Sequence, residues 1–167
     1  MLPLQARTQE LWAERNPGLD TSPMEVVALV NRINAALDRA VEHVYDGATV
    51  TPAEVRLLVP LRHLDQPVTA AHLAAQLGMS RAGVSKTLAK LDKRGLITRS
   101  AKPADRRATL VSITKEAADT IDALFPRELE AHAEVLAELG SERDEVLAAM
   151  TRFAGAMESR LNAGHSR

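Results

Sequence analysis

The most constraining feature of the sequence is a very short interval between two predicted helices. We predict one helix from Thr69 to Leu77 and a second from Ser80 to Arg94, separated by a turn with the sequence Gly-Met-Ser. Gly78 suits the C-terminal cap of the first helix, and Ser80 suits the N-terminal cap of the second. Two helices joined by so tight a turn are typical of a helix-turn-helix.

The pattern changes from helical to extended after Gly95, where the second helix ends. The segments "LITRS" (96–100) and "ATLVSI" (108–113) are short and β-branched, which predicts two strands. The polar sequence "AKPADRR" between them predicts a long basic loop at the tip of a hairpin. A hairpin that follows a helix-turn-helix is a wing, so the central part of the chain is predicted to be a winged helix-turn-helix.

Helices with apolar seams flank this central part on both sides. Ser22-Pro23-Met24-Glu25 is a helix start signal, with Ser22 as the cap and proline at the first helical position. The apolar residues that follow alternate at spacings of four and three: Val26, Val30, Ile33, Leu37, Ala40 and Val44. The last helix, which starts near Ser141, carries a comparable seam: Val146, Met150, Phe153, Met157 and Leu161. Such seams indicate dimerisation, and packing inside one subunit is the alternative.

We therefore predict a mainly α fold, a winged helix-turn-helix with N- and C-terminal dimerisation helices. A second start signal, Thr51-Pro52-Ala53-Glu54, opens the first helix of the winged lobe. The predicted segments are an N-terminal extension helix (1–20), a dimerisation helix (21–47), a winged DNA-binding lobe (48–113) and C-terminal dimerisation helices (114–167). Within the lobe, the turn and recognition helix take 69–94, and the wing takes 96–113.

Positive charge is concentrated in the recognition helix and the wing. Residues 78–107 contain nine basic and two acidic residues, a net charge of +7, whereas the remainder of the chain has a net charge of −8. A compact basic region on an otherwise acidic chain indicates a polyanionic partner that meets one face. Aromatic residues make up only 2% of the chain, which argues against a stacking platform for single-stranded nucleic acid.

The recognition helix is predicted to have an apolar face and a cationic face. Val84, Leu88 and Leu91 share the side that would seat on the lobe. The opposite side combines small residues, which allow close approach to bases in the major groove, with lysines that reach phosphates. The candidate DNA contacts on this helix are Ser80, Arg81, Ala82, Ser85, Lys86 and Lys90. The alternative is that these lysines form only a solvated helix face.

The wing supplies a second set of candidate DNA contacts, Lys102, Arg106 and Arg107. An arginine at the tip of a wing can reach the minor groove. Asp105 lies between these cations, and we interpret it as a brace that pairs with an arginine.

The segment 23–160 resembles the MarR family of transcriptional regulators, most specifically in "LDKRGLI" and "DRRATLVSIT". The resemblance implies a homodimer that binds a pseudo-palindromic operator in double-stranded DNA and represses until a small ligand, aromatic or anionic, releases it. The family's wing aspartate and arginine correspond to Asp105 and Arg107. We thus expect the protein to be a sequence-specific DNA-binding regulator that acts as a repressor. A winged-helix dimerisation or protein-docking module without an operator is the alternative.

The N-terminal helix with Trp12 resembles the urate-responsive subgroup of that family. Arg56 and Thr87 stand where the subgroup has the acidic residue and the arginine that help to hold urate. Urate is therefore not expected, and the candidate effector-binding residues are Trp12 and Arg56. The alternative roles are packing of the added helix onto the dimer for Trp12 and a salt bridge for Arg56.

Sequence signals for an enzyme, a cofactor or a metal are missing. The chain has no cysteine, its five histidines lack zinc-binding spacing, and no phosphate-binding loop or nucleophile–base pair is recognisable. The N-terminal residues carry charge throughout, and no apolar run is long enough to span a bilayer. We therefore expect a cytoplasmic protein that is not an enzyme, with no cofactor, metal or membrane partner.

Overall fold

The computed structural model describes residues 3–102 and 105–164, with the side chains of residues 3, 102–108, 162 and 164 outside this description. It is mostly helical with one small antiparallel sheet, which confirms the predicted mainly α, winged helix-turn-helix fold class. The helices are α1 (Pro3–Arg15), α2 (Ser22–Val41), α3 (Pro52–Arg62), α4 (Ala70–Gln76), α5 (Arg81–Lys93), α6 (Lys115–Leu136) and α7 (Arg143–Gly164). The strands are β1 (Val68–Thr69), β2 (Ile97–Lys102) and β3 (Asp105–Ile113). Short 3-10 helices, Glu42–Tyr45 and Ala137–Glu142, follow α2 and α6.

The core of the winged lobe lies between α3, α4, α5 and the sheet, and α6 closes it. The largest fully buried side chains come from all of these elements: Val55, Leu57, Leu58, Leu73, Val84, Leu88, Leu91, Val111 and Ile121. Arg62 on α3 also reaches Asp122 on α6 through hydrogen bonds of 2.9 and 3.0 Å. The first half of α6 therefore packs on the lobe, because Ile121 is part of its core.

Side-chain caps begin most helices of the lobe, as the sequence predicts. Thr51 and Glu54 form a reciprocal capping box at α3, and the hydroxyl of Ser80 caps α5. The prediction for α2 is wrong by one residue. Ser22 lies inside the helix, and Thr21 occupies the cap position without a side-chain hydrogen bond. Asp20 is the local acceptor instead, since its carboxylate takes the backbone N–H of Ser22 at 2.9 Å.

The sheet is larger than the sequence predicts. β3 lies between β1 and β2, and all pairings are antiparallel. The prediction of a long loop over residues 101–107 is wrong. β2 continues to Lys102 and β3 starts at Asp105, with an irregularity in the pairing between Ala101 and Lys102. Backbone pairing does not depend on side-chain polarity, so it continues past the β-branched residues. β1 has only two residues, which is too short to give a periodic pattern.

Apolar side chains remain exposed along α2 and α7. Each exposes between 36% and 64% of its surface: Val26, Val27, Leu29, Val30 and Ile33 on α2, and Leu147, Met150, Phe153, Met157 and Leu161 on α7. Extended apolar faces of this kind mark interaction surfaces. Val44, the last residue of the predicted seam, is instead buried in the core of the lobe. Of the helices that the structure describes, none has the length and apolar character needed to cross a bilayer.

Candidate nucleic-acid interface

The turn before α5 fixes where this helix begins. Gly78 has a φ of +62°, in the left-handed region that favours glycine, so the chain can reverse sharply after α4. The backbone N–H of Met79 donates to the Ala74 carbonyl at 2.9 Å, which closes the end of α4. The Ser80 hydroxyl then accepts a hydrogen bond from the backbone N–H of Gly83 at 3.1 Å. The remaining free N–H groups of the first turn of α5 leave a partial positive charge there.

The two faces predicted for α5 are present. Val84, Leu88 and Leu91 are completely buried, with 0% of their surface exposed. The opposite side of the helix is exposed and carries the small and cationic residues: Arg81, Ala82, Ser85, Lys86, Ala89, Lys90 and Lys93. The apolar side thus anchors the helix in the lobe while the cationic side faces solvent.

The basic region divides into two groups that the sequence does not distinguish. Arg94 is held by Glu54 (Nη1 to Oε1, 2.7 Å), and Arg99 is held by Asp92 (Nε to Oδ2, 2.7 Å). Within the described residues, the cations on the exposed side of α5 make no ion pair: Arg81, Lys86, Lys90 and Lys93. These four charges remain available to an anionic partner.

Glu54 is the buried charged side chain that organises the end of α5. Its Oε2 accepts the backbone N–H of Thr51 at 2.9 Å, and its Oε1 accepts the Arg94 guanidinium. Burial by itself raises the pKa of Glu54, but hydrogen bonds from Thr51 and Arg94 outweigh it, and the pKa lies below its ordinary value. Arg94 also donates to the carbonyl of Thr49, before α3. Sequence reasoning missed both roles, because the start signal that contains Glu54 and the motif "LDKRGLI" that contains Arg94 do not indicate a contact between the two residues.

The structure places the wing residues only in part. Lys102 ends β2 and pairs across the hairpin with Asp105, the first residue of β3, and Arg106 and Arg107 follow on the same strand. The side chains of these four residues lie outside the described part of the structure. The brace assigned to Asp105 therefore stays a prediction.

Gly83 is a residue of the candidate interface that sequence reasoning did not single out. A Cβ atom at this position would lie 2.9 Å from the Ser80 hydroxyl oxygen, closer than real Cβ atoms approach. The absence of a side chain therefore leaves room for the Ser80 cap. The sequence signal for this role is that Gly83 lies three residues after the capping Ser80.

The structure does not bring the two candidate effector residues, Trp12 and Arg56, together. Arg56 lines a cleft of about 720 Å³ between the end of α2 and the start of α3, and its Nη2 lies 3.6 Å from Asp38 Oδ1. Trp12 is 52% exposed and lines a separate shallow pocket formed by α1 alone. The Arg56–Asp38 contact favours the salt-bridge interpretation of Arg56. Thr87 on α5 is half-buried and lines neither pocket.

Tyr45 lines the same cleft as Arg56. Its hydroxyl donates a hydrogen bond to the Glu128 carboxylate on α6. Burial, together with this carboxylate, raises the pKa of Tyr45 well above its ordinary value, so the phenol stays protonated at neutral pH. The contact ties the end of α2 to α6 at the border of the lobe.

Comparison with protein families identifies the lobe. The MarR family matches residues 48–108, which include α3, α4, α5, β2 and the start of β3. Residues 48–108 form a MarR-family domain. This match supports the broad class of MarR-type DNA-binding transcriptional regulators.

Three proteins are similar to this chain over most of its length. The HTH-type transcriptional regulator PecS of Dickeya dadantii is 23% identical over 141 residues, which cover 83% of this chain and 85% of PecS. The S. aureus MepR–DNA complex superposes with a TM-score of 0.71 at 20% identity, over 78% of this chain and 96% of MepR. CouR from Rhodococcus jostii RHA1, bound to p-coumaroyl-CoA, has a TM-score of 0.64 at 22% identity, over 79% of this chain and 90% of CouR. These two structures share the fold of the present chain.

Proposed function

We propose that this chain is a dimeric, sequence-specific repressor that a small-molecule ligand releases from its operator. One observation carries the DNA-binding part of the proposal. Three fully buried residues, Val84, Leu88 and Leu91, seat a helix whose opposite side offers cations that make no ion pair with any side chain the structure describes. A docking module gains nothing from such charges, whereas a helix that enters the major groove of a polyanion requires them.

Each part of the interface is assigned its own kind of contact. We assign base reading to Arg81, Ala82, Ser85 and Lys86, because they follow the capped start of α5 on its exposed side. Ser80 and Lys90 contact phosphates that set the position of the helix. The wing adds Lys102, Arg106 and Arg107, with Asp105 as their brace. MepR, which shares the fold, was crystallised in complex with DNA.

The partner of the apolar faces on α2 and α7 is a second copy of the chain. Segments 21–47 and 114–167 supply these faces, and the winged lobe 48–113 lies between them in sequence. A single lobe reads few base pairs, whereas a two-fold dimer reads two half-sites of a pseudo-palindromic operator and gains affinity and specificity.

The effector site belongs in the cleft between α2 and α3. Its wall includes Arg56 and the first turn of α3, which also carries Glu54 and hence the contact with the end of α5. A ligand that prefers one position of this turn changes the placement of the recognition helices, and so favours a state that mismatches successive grooves. CouR, with the same fold, binds p-coumaroyl-CoA. The ligand is an aromatic or anionic molecule. Trp12, which lines a separate pocket on α1, is the second candidate for ligand binding.

Two further parts of the proposal concern the setting of the protein. We place its activity in the cytoplasm, where the operator lies, and assign it no catalytic reaction. Relatives such as PecS are named as regulators of transcription. A winged-helix docking module without an operator is the competing function. Such a module does not require the positive charge of the α5 lysines.

The test is binding to the duplex DNA that flanks the gene for this chain, measured by fluorescence anisotropy against a scrambled duplex. We expect preferential binding to one site with two-fold symmetry. Lys86→Ala should weaken it by about tenfold or more for each lobe, because each lobe of the dimer loses one base contact. Lys115→Ala, on an exposed lysine of α6 paired with Asp119, is the matched control and should bind like the wild type. A wild-type chain without preference for any flanking site, or an unaffected Lys86→Ala variant, contradicts the proposal.

A further inference from the structure

Arg94 joins three separate segments at the end of the recognition helix. It follows directly after α5, and its guanidinium binds Glu54 in the first turn of α3 at 2.7 Å. The other nitrogen of the same group donates to the carbonyl of Thr49, in the segment before α3. Arg94 therefore connects α5, α3 and the segment before α3 with directional bonds.

The partner of Arg94 is itself fixed. Only 6% of the Glu54 side chain is exposed, and its second carboxylate oxygen is occupied by the backbone N–H of Thr51. The hydroxyl of Thr51 in turn accepts the backbone N–H of Glu54 at 3.4 Å. Because its burial and its bond to Thr51 fix the position of the Glu54 carboxylate, this carboxylate holds the Arg94 guanidinium in place.

Apolar contacts alone do not determine the direction of α5. Val84, Leu88 and Leu91 set which side of the helix is buried, but hydrophobic contacts are non-directional and allow small changes in tilt. A planar guanidinium bound to two different acceptors has a specific geometry. The Arg94 contacts are thus suited to set the angle of the helix relative to α3.

We infer that Arg94 is a positioning residue for DNA recognition, and that it acts through Glu54 rather than by touching DNA. This inference rests on the proposed function, because the angle of α5 matters only if α5 reads DNA. In the sequence, Arg94 is one of the nine cations of the basic region and is indistinguishable from the others. Its ion pair with Glu54 separates Arg94 from the exposed cations and gives it a positioning role.

The test compares operator DNA with a scrambled duplex of equal length at several salt concentrations, for Glu54→Gln and Arg94→Gln. Both variants should bind the operator about tenfold more weakly, which is the value of one well-aligned base contact. Binding to the scrambled duplex and the salt dependence of both affinities should stay at the wild-type level. The ratio of the two affinities therefore falls, whereas partial unfolding would lower both affinities together.

Lys93→Ala is the matched control, because Lys93 is the adjacent exposed cation. It should weaken binding to both duplexes and reduce the salt slope by about 0.9 per lobe, as expected for a phosphate contact. If Arg94→Gln behaves in the same way, Arg94 contacts DNA and the inference is wrong. An unchanged affinity ratio in Glu54→Gln also overturns it.

Arg94→Lys provides the conservative variant. It keeps an ion pair with Glu54 and gives up the bond to Thr49, so it should lose less specificity than Arg94→Gln. An equal loss in the two variants overturns the role of the ion pair. Should the neutral variants fail to fold, Arg94→Lys decides alone: a reduced ratio at unchanged salt slope supports the inference, and a wild-type ratio overturns it. A wild-type protein without operator preference would refute the proposed function instead.

Discussion

Arg99 on β2 donates from Nε to a carboxylate oxygen of Asp92 on α5 at 2.7 Å, so the wing is tied to the last turn of the recognition helix. An aspartate near the C-terminus of a helix is unfavourable, because the helix dipole is negative there. Arg99 offsets that charge. The ion pair thereby couples the two parts of the proposed interface through a directional side-chain contact.

Asp92→Asn should leave the fold intact and weaken operator binding. Exposed ion pairs contribute at most about 1 kcal/mol, so the free energy of unfolding should change little. The wing loses its attachment to α5, and we expect a lower operator affinity in an anisotropy titration. Asp119→Asn, which breaks the exposed pair with Lys115 on α6, is the control. Operator binding of Asp92→Asn at the wild-type level would contradict the coupling.

Leu88→Ala should destabilise the lobe strongly. Leu88 lies on the buried side of α5 with none of its surface exposed, and a Leu→Ala change in a core costs about 2–5 kcal/mol. Urea unfolding followed by circular dichroism measures the loss. Leu64→Ala removes the same atoms from a side chain that is 37% exposed and should cost much less. Equal losses in the two variants would mean that α5 is not seated as described.

A charge placed in the exposed apolar faces should separate the dimer. Val30→Asp on α2 and Phe153→Asp on α7 each place a carboxylate in a surface that we assign to the partner copy. Sedimentation analysis should then give a monomer, with weaker operator binding because only one lobe contacts the site at a time. Leu64→Asp, outside both faces, should remain dimeric. Variants that sediment like the wild type would exclude these helices from the dimer interface.

Glu54 makes stability depend on acid pH. Its pKa is lowered in the folded chain, so the unfolded chain takes up a proton first as the pH falls. The contribution of Glu54 is complete above its ordinary pKa of about 4.3 and is lost as the pH falls through the lower, folded value. Glu54→Gln should cost about 1–3 kcal/mol at neutral pH and flatten the acid dependence of unfolding.

Urea titrations between about pH 3 and pH 7 measure this dependence. Glu116→Gln serves as the control, since Glu116 is exposed in the first turn of α6 and has no ion pair among the described residues. If the Glu54→Gln profile parallels that of the wild type, the ion pair with Arg94 does not form in solution.

The sequence predicted the features that depend on local signals. Caps such as Ser80, the turn at Gly78 and the buried stripe of α5 follow from short-range patterns, and the structure confirms them. β1 could not be predicted, because its two residues are strand only through pairing with β3. The roles of Arg94 and Arg99 could not be predicted either. Their partners Glu54 and Asp92 lie 40 and 7 positions away, and which cations are paired is decided by tertiary packing.

The salt dependence of operator binding tests the central claim most directly. With Lys90 and Lys93 of two lobes on phosphates, the logarithm of the affinity should fall with the logarithm of the salt concentration at a slope of about −3.6, and wing contacts should make it steeper. Removing Lys90 from both lobes should make the slope shallower by about 1.8. An operator affinity that is insensitive to salt between low and physiological concentrations would contradict the assignment of the exposed face of α5 to DNA.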